Sequence, residues 1–153
     1  MIPALDSLSD SEMEIMLRSP MLVCILIAGA DGTIDRKEIK KAVYVAEKKT
    51  TKSKASLLEF YHTVNEDFED KLKIVMQGLP IEAAERNHLI VEELSKLNGI
   101  FRKLEKSFAK DFHWSLKFMA EKIAESSGGL LGLKKVGEEE ERYVDLPMIK
   151  VPS

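Results

Sequence analysis

The sequence predicts an all-α fold, and three observations carry that reading. No alternating apolar–polar run bounded by turn residues is present, as a half-buried strand would require. Apolar residues instead recur at spacings of three and four along most of the chain. Eight Gly and five Pro in 153 residues are too few for a many-turned β architecture. The length suits one domain, residues 1–153. A chain of this size buries roughly 68–70% of its unfolded surface and needs no staple.

The elements follow from punctuation. Ser19-Pro20 reads as an N-cap followed by Pro at the first helical position, so a helix is expected to open there and run through the apolar residues 21–30. Asp35 should cap a second helix, to about Lys49. Residues 48–54 are polar and basic and read as a loop, followed by a short helix near 55–62. Asn65, Glu66 and Asp67 should start the next, since acids favour the positive end of the helix dipole, and Gly78 should stop it. Pro80 is expected to open a long apolar stripe: Ile90, Leu94, Leu97, Phe101, Leu104 and Phe108. That stripe stays in phase across Asn98-Gly99, a pair that normally ends a helix. It therefore predicts one kinked helix or two stacked ones. Phe112, Leu116, Met119, Ala120 and Ile123 form the apolar face of a further helix, to about Ser126. Residues 138–146 read as a last short helix and 147–153 as a frayed tail. The total is about seven helices.

Charge and cysteine content exclude several function classes. Lys and Arg number 23 against 26 Asp and Glu, a net charge of −3, without the basic excess of a dedicated nucleic-acid binder. The single cysteine, Cys24, rules out an internal disulfide framework and a Cys-based zinc cluster. It lies inside the apolar run and is expected to be a buried small hydrophobe. That run is ten residues long, short of the roughly 20 that a membrane-spanning helix needs. Asp6, Asp10, Glu12 and Glu14 precede it, which conflicts with the positive start of a signal peptide. A cytoplasmic protein with no direct membrane insertion is expected.

One segment is chemically distinctive: Asp31-Gly32-Thr33-Ile34-Asp35-Arg36-Lys37-Glu38. The pattern D-G-x-I-D-x-x-E matches the second half of an EF-hand calcium loop, with Asp31 at position 5, Gly32 at the turn, the Thr33 carbonyl at position 7 and Glu38 as the bidentate position 12. Positions 1 and 3 would be Ile27 and Gly29, which offer no side-chain oxygen. The segment is therefore not an EF-hand, and a cation there should bind weakly, at ~10⁻⁴–10⁻³ M. The same residues fit a purely structural role. Asp35 and Glu38 have capping-box spacing, and Asp31-Gly32 is a common turn dipeptide.

The C-terminal part follows a similar plan: an apolar helix, Ser127-Gly128, a glycine-rich stretch, Val136, then acids ending in Glu140 and Glu141. Ile34 to Glu38 is four positions, and so is Val136 to Glu140. Two helix–loop–helix units result, about 20–49 and about 109–146.

These two stretches, 22–42 with AGADGTIDRKEI and 120–141 with SSGGLLGLKKVGEEEE, resemble the TerB-like (tellurite resistance) helical family. The resemblance implies a bacterial, two-unit helical protein linked to tellurite and general stress resistance. It also implies a divalent metal at the acidic loops, without identifying it, and action by contact with partner proteins, some membrane-bound; Ca²⁺ and Mg²⁺ are the candidate ions. Carried over residue by residue, the metal-site candidates are Asp31, Asp35 and Glu38 in the first unit and Glu140 in the second, with the Thr33 carbonyl from the EF-like register. The second unit departs from the family pattern, with Ser127 in place of an Asp and a six-residue insertion.

The remaining chemistry-bearing residues are sparse. His62, His88 and His113 form no metal-binding pair such as H-E-x-x-H. The aromatic and basic residues between Phe101 and Phe118 follow helical spacing, as core or interface residues do. There is no phosphate-binding loop and no nucleophile elbow. The sequence therefore points to a non-enzymatic module that weakly binds a divalent cation and contacts proteins. The alternative is an ion-independent helical scaffold whose binding face lies around Trp114 and Phe118. A metal-dependent hydrolase would require a concave site holding several carboxylates and a general base.

Overall fold

The computed structural model describes residues 3–29, 34–50, 55–128 and 143–152. The fold is all-helical as predicted. A 3₁₀ turn, Pro3–Leu5, precedes seven α-helices among the described residues: α1 (Asp10–Ala28), α2 (Arg36–Thr50), α3 (Ala55–Asn65), α4 (Phe68–Gln77), α5 (Ala83–Ser95), α6 (Leu97–Phe101) and α7 (Lys106–Gly128). Helix α1 is the central element, packed on α7, α5 and α2, while α2 also lies against α7 and α3. No helix among the described residues is long and apolar enough to cross a membrane.

The first correction concerns α1. It starts at Asp10, ten residues before the expected position, and carries Pro20 inside it. The true cap is Ser9. Its hydroxyl accepts the Glu12 amide, and the Glu12 carboxylate accepts the Ser9 amide, a complete capping box. Pro20 has no N–H to give the Met16 carbonyl four residues earlier. The Ser19 hydroxyl supplies that bond instead, at 2.8 Å and fully buried. Every residue from Met21 to Ala28 is buried. A helix apolar on all faces needs neighbours on all faces, which is why α1 sits at the centre.

Helix α2 begins where expected. Helix α3 runs to Asn65, so Asn65 ends that helix rather than opening the next. Its amide reaches back to Glu47 of α2 at 2.8 Å. Helix α4 opens at Phe68 behind Asp67, whose left-handed backbone (φ 50°) is tolerated by Asp. It stops at Gly78, as predicted. Helix α5 starts at Ala83 rather than Pro80. The Glu82 carboxylate caps it by accepting the Ala84 and Glu85 amides.

The long stripe is wholly buried, as its spacing implied. It is divided over α5, α6, the 102–105 connection and α7, and the first break falls at Lys96 rather than at Asn98-Gly99. Asn98 has a different role. Its amide donates to the Ser95 and Met148 carbonyls, and its oxygen accepts the Lys150 amide. The residue read as a helix stop is a clamp on the C-terminal segment. Consequently the expected frayed tail is docked. Leu146 and Ile149 are buried, and residues 143–149 form turns closed by Leu146 N–H to Tyr143 O and Ile149 N–H to Leu146 O. The rest of the expected 138–146 helix lies outside the described residues.

The core beneath α7 is aromatic. Phe60 meets Tyr61 and Phe112 edge to face, with Phe112 also edge-on to Phe101 and parallel to Phe108. The buried hydroxyl pair of Tyr61 and Ser115 is fully used. Ser115 donates to the Phe112 carbonyl, so Tyr61 donates to Ser115. Burial pushes the Tyr61 hydroxyl well above its usual range, and it stays neutral.

Candidate functional site

Of the five predicted metal-site residues, Asp35 and Glu38 are described, while Asp31, Thr33 and Glu140 lie outside the described residues. Asp35 is exposed immediately before α2, and Glu38 is half-buried in the first turn. The Asp35 carboxylate accepts two backbone amides, from Lys37 at 2.9 Å and Glu38 at 3.3 Å. Its carbonyl accepts the Ile39 amide, the first intrahelical bond. This satisfies amides that a helix start leaves without partners. Both side-chain bonds fall on one oxygen, Oδ1. Among the described residues no three His, Cys, Asp or Glu side chains cluster in a way that could hold a metal ion.

The other side of this bend is built by a residue the sequence did not point to. Arg86 of α5 donates from Nη2 to the carbonyl of Gly29, the C-cap of α1, at 3.0 Å. A guanidinium there complements the negative end of the helix dipole. The approach is so close that a Cβ on Gly29 would lie 2.6 Å from Arg86 Nη2. A side chain at Gly29 would thus push the flexible tip of Arg86 off this bond, while the φ of −84° is open to any residue. A fixed positive charge at the end of α1 repels a second cation placed close by, so the acids of the bend must outweigh it for an ion to bind. Nothing local in the sequence couples Arg86 to Gly29, 57 positions away.

The second candidate surface is on α7. Trp114 is 54% exposed and stacks on half-buried Phe118, with ring centroids 5.6 Å apart and planes 19° apart. The preceding residue, His113, faces inward. It meets Phe101 edge to face, and its Nε2 is buried without a hydrogen-bond partner. Desolvation, with help from the Lys117 charge, lowers the His113 pKa, and a hydrogen bond to the Ile149 backbone opposes this. Its neutral form is therefore part of the fold. His88 lies 3.5 Å from Glu92 on an exposed helix face, and His62 is exposed. Cys24 is buried, and burial pushes its thiol well above the usual range, which fits a core residue and not a nucleophile.

Comparison with family models, curated proteins and solved structures gives no match to this chain.

Proposed function

We propose that this protein is a non-enzymatic helical interaction module that contacts a protein partner through the Trp114–Phe118 face of α7. The observation that carries this reading is the exposed, stacked indole of Trp114. A large aromatic surface held in one orientation by a neighbouring ring loses little entropy on binding. Tryptophan is also among the residues that most often dominate interface energetics. The TerB-like resemblance supports the same class, a stress-resistance module acting through protein contacts. Trp114 is the only tryptophan in the chain, so its fluorescence reports on this face directly. A genuine partner shifts the emission to shorter wavelength, and Trp114→Ala weakens capture at least tenfold while leaving the melting transition in place. A partner retained equally by Trp114→Ala overturns the assignment of the face.

A second reading is a weak divalent-cation site at the bend before α2, setting the angle between α1 and α2. It is favoured by the Asp35 geometry, because a carboxylate that caps a helix with Oδ1 alone can present Oδ2 to an ion. Its ligands would be Asp31, the Thr33 carbonyl, Asp35 and Glu38, with Glu140 from the second unit. Calorimetric titration with Ca²⁺, Mg²⁺ and Mn²⁺ tests it. The expected Kd is ~10⁻⁴–10⁻³ M. No heat, together with no effect of Asp31→Ala, leaves Asp35 with the capping role alone.

A further inference from the structure

A groove of about 440 Å³ opens between α1, α4 and α5, away from both surfaces discussed above. Its volume falls in the range of small-ligand sites, roughly 300–1,000 Å³. The walls are apolar: Leu17 and Met21 from α1, Val75 from α4, and Leu79 beyond its end. Ile74 and Leu89 stand at the rim, 68% and 37% exposed.

The charges around the groove decide what it would take. Arg18 bridges from α1 to Glu93 of α5 at 2.7 Å, Glu93 also holds Lys96 at 2.6 Å, and Glu14 lies 3.9 Å from Arg18. Both lining acids are thus matched by cations. Lys71 of α4 is different. Its half-buried ammonium donates to the Thr63 carbonyl at 2.6 Å, at the C-terminal end of α3. Among the described residues no carboxylate lies within ion-pair distance of it. A partly desolvated cation with only a neutral partner beside an apolar groove is a receptor for an anion attached to an apolar body.

We infer that the α1–α4–α5 groove binds a small amphipathic monoanion, of the class of free medium-chain carboxylates, with Lys71 receiving the head group and the walls taking the chain. The inference is independent of the protein-contact and cation readings. The acyl chain would lie along Met21 and Val75, and the carboxylate would meet donors that Lys71 does not use on Thr63.

The test uses the full chain and octanoate, decanoate and dodecanoate, each below its micelle concentration, followed by calorimetry. The expected result is one molecule per chain, with affinity rising up to about fourfold for each buried CH₂. Dodecanoate should bind more tightly than dodecanol to the wild type. Lys71→Gln keeps a donor for the Thr63 carbonyl but removes the charge, and should erase that preference. Leu89→Trp, at a partly exposed rim position, should occlude the groove and reduce affinity at least tenfold without unfolding the protein. Three outcomes would overturn the inference: affinity independent of chain length, a carboxylate preference unchanged in Lys71→Gln, or undiminished binding to a folded Leu89→Trp variant. Association with anionic vesicles in the absence of dodecanoate binding would also overturn it, and would point to a membrane surface instead.

Discussion

Helix α1 has two contrasting flanks. Toward α7 and α2 it is sealed. Val23 and Ile27, on the helix face opposite the groove-lining Arg18 and Leu22, are fully buried, and the core continues into Phe112, Leu116 and Met119 of α7. Toward α4 and α5 it meets a groove, bridged by the Arg18–Glu93 ion pair and bordered by exposed Ile74 and Leu89. One rigid helix therefore serves as the centre of the core and as the wall of an open apolar surface. The contrast teaches where change is tolerated. On the sealed flank a lost methyl group leaves a void, while on the open flank solvent can fill the space.

The largest expected effect is on the sealed flank. Ile27→Ala should cost about 2–5 kcal/mol in urea denaturation, through lost burial plus a cavity. A cost below about 1 kcal/mol would mean that this flank is as forgiving as the groove. Next comes the clamp that α6 places on the C-terminal segment. Asn98→Ala removes two hydrogen bonds that hold the C-terminal segment, with Met148 and Lys150, and a local one to the Ser95 carbonyl. It should cost about 1–3 kcal/mol, with hydrogen exchange accelerating at Leu146 and Ile149 before the α1 core opens. Ser9→Ala, at the α1 cap, should cost about 0.5–2 kcal/mol, which would show that the helix nucleates at Ser9 rather than at Ser19-Pro20.

The pH response sharpens the same comparison. The folded pKa of His113 is lowered, chiefly by desolvation, below its unfolded value of about 6.5. The unfolded chain therefore binds more protons in that window. Stability is fully present above pH 6.5 and is lost as pH falls through the lowered value. His113→Gln should flatten the acid limb of a stability-against-pH curve, and an unchanged limb would assign it to other groups. The smallest effect is predicted at the groove rim. Ile74→Ala should stay within about 0.5 kcal/mol of the parent, as exposed substitutions usually do. A loss comparable to that of Ile27→Ala would erase the distinction between the flanks.

Parts of this architecture were legible in the sequence because their causes are local. The Asp35 cap, the stop at Gly78 and the buried face of α7 each depend on residues within about four positions of one another. Side-chain periodicity and capping chemistry are written on that scale. The Asp35–Glu38 spacing correctly indicated amide capping, half of which is seen directly in the Oδ1 bonds. Arg86 was not legible, because its bond to Gly29 joins positions 57 apart. Lys71 and the groove were hidden for the same reason, since three helices have to assemble before the apolar walls face each other.

By itself, the sequence determined the helical class, most of the buried positions and several helix ends, since propensity, caps and apolar spacing act along the chain. Only tertiary structure decided that Pro20 would sit inside α1, that Asn98 would grip the tail rather than end a helix, and that Arg86 would meet the end of α1. Each of these depends on a hydrogen bond or an enclosure whose strength comes from shielding by neighbours, and which neighbours arrive is settled by packing. A buried Ser19 hydroxyl can replace the missing Pro20 amide because the surrounding helices exclude the water that would otherwise compete for the Met16 carbonyl.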